Sequence, residues 1–315
     1  MSGLRVAVIG VGYLGRFHAQ KYAAHPDCEL VAVVDPDPAR REAVAAELDC
    51  RALADTDALA GQIDAASIVS PTRLHHDLAM PLLRAGVHLL IEKPITTTLA
   101  EADALIATAA DHHCIVQVGH LERFNPAMVA AAERLASPLF IESHRIAPFN
   151  PRGADVSVVL DLMIHDIDLI LELVDAPLVH MDASGAPVIA EDIDIANARL
   201  RFENGCIANV TASRVSPKAE RRMRIFQPNA YFSLDLQHAR LDIQRRQADA
   251  PGPPTMEQIS HERIDATARD ALADEIHAFV DAIRTGQSPV VSAEDGRRAL
   301  AAAIDIGKQL NGNRP

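Results

Sequence analysis

The 315-residue chain has no tryptophan, three tyrosines and eight phenylalanines. Aromatic rings therefore supply little of its core, and aliphatic residues dominate the 49% hydrophobic share. Cysteine is scarce as well: Cys28, Cys50, Cys114 and Cys206 are widely spaced and form no C-x-x-C pair. That spacing argues against a disulfide framework or a zinc knuckle and suits a reducing, cytoplasmic setting. No apolar run is long enough to span a bilayer. Residues 4–9 run straight into glycines, without the apolar length or cleavage site of a signal peptide. Basic residues are in deficit, 30 against 43 acidic, for a formal charge of -13. Such a charge repels duplex nucleic acid and anionic membrane surfaces, so neither is expected as a partner.

What the chain does contain is an ordinary soluble balance, with 23% charged residues and enough apolar side chains for a large core. Its length favours two domains over one. Up to about residue 119, short β-branched runs alternate with Ala-rich segments of helical period. The runs at 5–9, 30–34, 66–69, 87–91 and 115–118 read as strands of a doubly wound parallel sheet. Beyond residue 119 the rhythm changes. A helix at 126–135, a strand at 140–146 and a long apolar helix at 155–174 precede a series of strands. These strands, at 179–187, 194–202, 207–213, 223–226, 231–236 and 239–244, lack intervening helices and should pair mainly antiparallel. The loop at 250–254, Ala-Pro-Gly-Pro-Pro, breaks this run. Helices at 268–284 and 293–310 close the chain, separated by the turn Gly286-Gln287-Ser288-Pro289. The expected fold class is α/β: a Rossmann domain over 1–119, and an α+β domain with a large open sheet over 120–315.

Gly10-Val11-Gly12-Tyr13-Leu14-Gly15 matches G-x-G-x-x-G directly after the first strand and at the mouth of a helix. Backbone N–H groups at Gly10, Gly12, Tyr13, Leu14 and Gly15 would face a pyrophosphate there. Asp35 closes the second strand twenty residues after Gly15, where its carboxylate can accept hydrogen bonds from the adenosine ribose. The same charge disfavours a 2′-phosphate, so the cofactor is read as NAD. Arg40 and Arg41 stand near enough to soften that choice, or simply sit on a solvated helix face.

Glu92-Lys93-Pro94 follows the strand at 87–91, which puts Lys93 at the carboxyl edge of the sheet, where such folds bind ligands. A lysine there can hydrogen-bond a substrate hydroxyl or, partly desolvated, serve as a base. In the helix at 155–174, Asp161, His165, Asp168 and Glu172 fall at i, i+4, i+7 and i+11, one thin polar line on an otherwise apolar surface. A solvated face would be broader, so the line reads as facing a cleft, with Asp161 stabilising a charged His165 that relays a proton. No metal is expected, because His75-His76 and His112-His113-Cys114 are sequence neighbours that point apart.

Together the glycine turn, Pro71 with His75, Glu92-Lys93-Pro94, and Asp161 with His165 resemble the Gfo/Idh/MocA family of oxidoreductases, over nearly the whole chain. The resemblance implies a Rossmann domain joined to an α/β domain whose open sheet makes homodimer or homotetramer contacts. It implies that Lys93, Asp161 and His165 are the catalytic set and that Lys93-Pro94 is a cis bond. It also implies that Pro71 and His75 lie beside the nicotinamide, and with Glu92 they complete the expected cofactor-binding set. The stretches at 119–126 and 161–168 are similar to a branch of the family that oxidises the 3-hydroxyl of UDP-N-acetylglucosamine. In that branch the keto sugar passes to an aminotransferase on a lipid A route. A cluster of Arg214, Lys218, Arg221, Arg222 and Arg224, with Arg145 and Arg152 as further candidates, would suit the pyrophosphate of such a substrate, or would merely solubilise strand faces. A dehydrogenase of a free sugar, an inositol or a sugar acid shares the same chemistry. A non-catalytic NAD-binding regulator is the alternative of another class.

Overall fold

The computed structural model describes residues 3–150, 157–246, 255–266 and 269–312. The proline-rich loop at 250–254, the first residues of the apolar helix at 155–156, and Arg152 lie outside the described residues.

The first sheet is built from β1 (Leu4–Ile9), β2 (Cys28–Val34), β3 (Arg51–Leu53), β4 (Ala65–Ile68), β5 (His88–Glu92) and β6 (Val116–Gly119). All its pairings are parallel and the strand order is β3-β2-β1-β4-β5-β6, the dinucleotide-binding order with its reversal between β1 and β4. The connecting helices are α1 (Tyr13–Ala24), α2 (Pro38–Leu48), α3 (His75–Arg84) and α4 (Leu99–Asp111). Local chemistry fixes their starts. Asp37 caps α2, accepting from the backbone of Ala39 and Arg40 just before Pro38, and Thr98 with Glu101 forms a capping box on α4. Strand β3 is an addition to the expected set: three residues long and mostly exposed, it carries no alternation that a pattern would register.

The second sheet has eight strands in the order β14-β13-β12-β11-β7-β10-β9-β8. They are β7 (Phe140–Ile146), β8 (Leu178–Ala186), β9 (Ile195–Phe202), β10 (Ile207–Ser213), β11 (Glu220–Gln227), β12 (Ala230–Asp235), β13 (Arg240–Arg246) and β14 (Ile259–Asp265). Every pairing is antiparallel except β7 with β10, which run parallel over seven residue pairs. In β9 buried and exposed residues alternate strictly, so one face packs inward. Helix α5 (Pro126–Ala132) packs against β12, β13 and β14, and α6 (Ile164–Val174) against β7 and β10.

By compactness the chain divides into a first unit, Met1–Leu121 with Asp270–Leu300, and a second, Glu122–Arg269 with Ala301–Pro315. The expected boundary at 119–120 lies close to that division, but α7 (Ala271–Thr285) and the start of α8 (Ala293–Gly312) go with the first unit. The cause is apolar burial. Leu272, Ile276, Phe279 and Val280 of α7 share one hydrophobic cluster with Val6, Val8, Tyr22 and Leu90. Asp270 caps α7, and Gly286 at φ 67° ends it in a left-handed conformation that glycine adopts without strain. Among the described residues no helix is long and apolar enough to cross a membrane.

Candidate active site and cofactor cradle

Strand β1 delivers the glycine turn to the carboxyl edge of the first sheet. Gly10 has φ 87°, and a Cβ there would sit 2.6 Å from the Val69 carbonyl oxygen. At Gly15 a Cβ would stand 1.8 Å from the Gly10 carbonyl oxygen. Neither position tolerates a side chain, which is why the turn can pass so close to β4 before α1 begins. At Gly12 the reverse holds: nothing lies within 4 Å of an added Cβ, and no side chain caps the helix that starts here. Open space in front of uncapped N–H groups fits a pyrophosphate. Tyr13 is 87% exposed and packs edge-on against Phe17, while Leu14 is half-buried.

Asp35 is buried at the end of β2. Its Oδ2 accepts the Val11 N–H at 3.0 Å and its Oδ1 the Asp37 N–H at 2.9 Å. The carboxylate is thereby fixed against the glycine turn, with lone pairs remaining for a ribose. Gly10, Gly12, Asp35, Arg40, Ser70 and Pro71 are among the residues that line a cavity of about 470 Å³. Arg41 is turned away to the carbonyls of Asp35 and Pro36. The residues present fit NAD.

The loops after β4 and β5 are tied together by His75. Its ring is fully buried, with Nδ1 3.0 Å from the Pro94 carbonyl oxygen and Nε2 2.9 Å from that of Ser70. The Lys93-Pro94 peptide is cis. Lys93 is half-buried, and its backbone N–H donates to Glu92 Oε2 at 3.3 Å. Glu92 turns its carboxylate inward, with Oε1 3.2 Å from His18 Nε2.

In the second unit, the expected regular helix opens with a π-helical turn, Val159–Met163, where the Ile164 N–H reaches back five residues to the Val159 carbonyl. The π turn departs from the regular 3.6-residue spacing on which the polar line from Asp161 was read. Asp168 and Glu172 are both engaged by an arginine. Arg123 takes both, donating to Asp168 at 2.7 and 2.9 Å and meeting Glu172 at 2.8 Å, with its own side chain 5% exposed. Asp161 and His165 remain half-buried, one in the π turn and one in the first turn of α6.

A second arginine braces the same helix. Arg145 of β7 donates to Asp166 at 2.8 Å and to Glu122 at 2.8 Å, and all three residues are buried. Burial works against the guanidinium charge, but the two carboxylates outweigh it and raise its pKa. Arg145 is therefore structural, which removes it from the candidate pyrophosphate ligands. Arg214 leaves that set for the same reason: it is buried and donates to Asp194 at 2.8 Å. Arg224 pairs with Glu142. Lys218, Arg221 and Arg222 stay exposed at and before the start of β11, with Arg221 3.6 Å from Glu122. Sequence patterns alone do not single out the bracing roles of Arg123, Glu122 and Asp166. Asp166 carries a signal, being a charge in an apolar helix segment, whereas Arg123 lies 45 positions from Asp168 and no local pattern links them.

Residues 4–120 match the description "Oxidoreductase family, NAD-binding Rossmann fold", and residues 141–232 match "GFO/IDH/MocA C-terminal domain". The chain is 44% identical over 308 residues to the UDP-N-acetylglucosamine 3-dehydrogenase of Acidithiobacillus ferrooxidans, covering 97% of each chain. The chain belongs to the Gfo/Idh/MocA family. A solved structure of that relative, GnnA, superposes with a TM-score of 0.92 at 42% identity over 99% of both chains. The scyllo-inositol 2-dehydrogenase (NAD(+)) of Bacillus subtilis is 27% identical, covering 99% of this chain and 95% of the relative. These Gfo/Idh/MocA relatives are dehydrogenases, so the protein is an NAD-dependent oxidoreductase, and the reading as a non-catalytic regulator falls away.

Proposed function

We propose that this Gfo/Idh/MocA protein oxidises the 3-hydroxyl of UDP-N-acetylglucosamine, with Lys93, Asp161 and His165 handling the proton. The observation that carries the substrate is near full-length identity of 44% to a dehydrogenase of that nucleotide sugar, against 27% to an inositol dehydrogenase. The exposed Lys218, Arg221 and Arg222 support it, since a run of cations in a chain of charge -13 suits a diphosphate.

NAD, when bound, supplies the hydride acceptor. Gly10, Gly12, Tyr13, Leu14 and Gly15 would hold its pyrophosphate and Asp35 its ribose, and Pro71, His75 and Glu92 would shape the nicotinamide end. Lys93 hydrogen-bonds the reacting hydroxyl and draws its oxygen toward the alkoxide. His165 takes the proton as the carbon–hydrogen bond gives up its electron pair, and Asp161 stabilises the imidazolium that results. The 3-keto sugar so formed is the substrate class of an aminotransferase.

Replacing Lys93 with Met tests this. NADH formation from UDP-N-acetylglucosamine is expected to fall by about 10²- to 10⁴-fold, the usual worth of a positioned proton-transfer group. NAD binding should persist, because the glycine turn and Asp35 are untouched. Undiminished turnover would remove Lys93 from the mechanism, and faster turnover with scyllo-inositol than with the nucleotide sugar would move the substrate to free polyols. We assign substrate binding and self-association to the second unit, as a homodimer or homotetramer formed through the open sheet. Its exposed Leu139, Val179, Ile195 and Ile259 support that assignment, and sedimentation measures the mass. Four free cysteines favour a cytoplasmic location.

A further inference from the structure

The first unit buries a set of polar side chains of which the reaction above uses only Glu92. His18 of α1, Glu92 at the end of β5 and Glu275 of α7 bring one ring nitrogen and two carboxylate oxygens within 4.8 Å of one another. His18 and Glu275 are fully buried, and the Glu92 side chain is 13% exposed. Polar links run outward from His18: its Nδ1 lies 3.3 Å from Ser67 Oγ, which in turn lies 2.9 Å from the Tyr22 hydroxyl. With the His18 proton on Nε2, donation runs in one direction, from Tyr22 through Ser67 and His18 to Glu92. Glu92 also accepts the Lys93 backbone N–H. Its carboxylate rests over Gly119, where an added Cβ would come within 2.9 Å of Cδ. The interior thus has a place made for that carboxylate.

Glu275 is the member whose position needs explaining. Both its oxygens are buried without a hydrogen-bond partner. Nearby, Gln117 donates from Nε2 to the Glu275 backbone carbonyl at 2.9 Å, while its Oε1 is buried and unpartnered. Two ionised carboxylates this close and this buried repel strongly. A single proton removes the repulsion and turns Glu275 from acceptor into donor.

We propose that Glu275 is an un-ionised carboxylic acid sharing its proton with Glu92, and that together with His18 it acts as a positioning group for the Lys93-Pro94 turn. The positioning role rests on the catalytic reading of Lys93; the shared proton does not. Burial, and after it the Glu92 charge, raises the Glu275 acid well above its ordinary value of 4.5. The buried Tyr22 phenol is raised in the same way, chiefly by burial. A divalent cation could also use one imidazole and two carboxylates. The shared proton needs no added ion: His18 Nε2 stands at hydrogen-bond distance from Glu92, and the metal content measured below separates the two readings.

Infrared spectra of the full-length enzyme with NAD bound, in D₂O at neutral pH, decide the matter. The expected result is the carbonyl stretch of an un-ionised carboxyl group, shifted by ¹³C-glutamate labelling and absent from Glu275→Gln. No such band in the wild type, its persistence in Glu275→Gln, or one equivalent of divalent metal lost only from that variant would overturn the proposal. For the positioning role, Glu275→Gln supplies an N–H in place of the O–H. Its kcat should exceed that of Glu275→Leu by about tenfold or more, with KM for NAD alike in both. Equal kcat in the two variants overturns that role. If the leucine variant does not fold, the kcat–pH profile of Glu275→Gln decides: loss of the alkaline decline caused by ionisation of the shared proton supports the role, and an unchanged profile overturns it. The infrared arm needs no turnover, so a fully active Lys93→Met would sink the catalytic reading and leave the shared proton to be judged by its own band.

Discussion

Asp194 and Glu275 are both buried carboxyl groups in this dehydrogenase, and their surroundings drive them to opposite states. Asp194 Oδ2 accepts the backbone N–H groups of Val188, Ile189 and Ala190 at 2.6–2.9 Å, and its Oδ1 accepts from Arg214. Burial would raise its pKa, but these donors overcome that and hold it below the ordinary 3.8. Glu275 has no such donors and is raised. Their contributions to stability therefore depend on pH with opposite sign. A depressed acid contributes stability above its unfolded value and loses it as pH falls, so the contribution of Asp194 is full above 3.8 and drains away below it. A raised acid binds more protons folded than unfolded, so the contribution of Glu275 is full below 4.5 and lost as pH climbs toward its folded value. Thermal unfolding against pH should therefore lose part of its acid-side decline in Asp194→Asn, which is also less stable at neutrality, and part of its alkaline-side decline in Glu275→Gln. Matching profiles for both variants and the wild type would contradict the assignment.

Helix α6 owes its position to two arginines and not to its apolar surface alone. Asp168 is 1% exposed, so Arg123→Met would take a bidentate guanidinium from a buried carboxylate, at a cost of about 3–5 kcal/mol in chemical unfolding. Adding Asp168→Leu should recover much of that loss, because an apolar pair needs no desolvation of charge. A double variant no more stable than the single one would show that Arg123 matters for another reason. This arrangement marks the limit of what local pattern conveys. Strands β7 and β10 have the bounds expected at 140–146 and 207–213, since one side of each is buried and alternation survives. Strand β14 escapes such a reading, because six of its seven residues are exposed and nothing alternates. The glycine turn and Asp35 are legible because a tight turn and a strand end are local demands on residue type. The π turn is not: its residues Val-Leu-Asp-Leu-Met suit an α-helix equally well. Glu275 is within reach of pattern. Leu272, Ile276 and Phe279 define the buried stripe of α7, and a glutamate three residues after the first falls on it.

At the scale of the molecule, the NAD-binding unit is assembled from two distant stretches of chain. Removing everything after Arg269 would strip Leu272, Ile276, Phe279 and Val280 from the cluster that contains Val6 and Tyr22. Each such side chain contributes about 1.5–3 kcal/mol on full burial, so four of them rival the whole stability of a domain. The shortened protein is expected to bind no NAD by calorimetry and to show weak protection of β1 and β5 in hydrogen exchange; retained binding would mean the remaining core suffices. The same layout sets an order of events during synthesis. A nascent polypeptide usually matures from its leading end, but here the first unit must wait for α7, which follows β7 to β14 in the chain, while those strands can already pair. The cofactor would then be admitted only after every strand of the second sheet has been made.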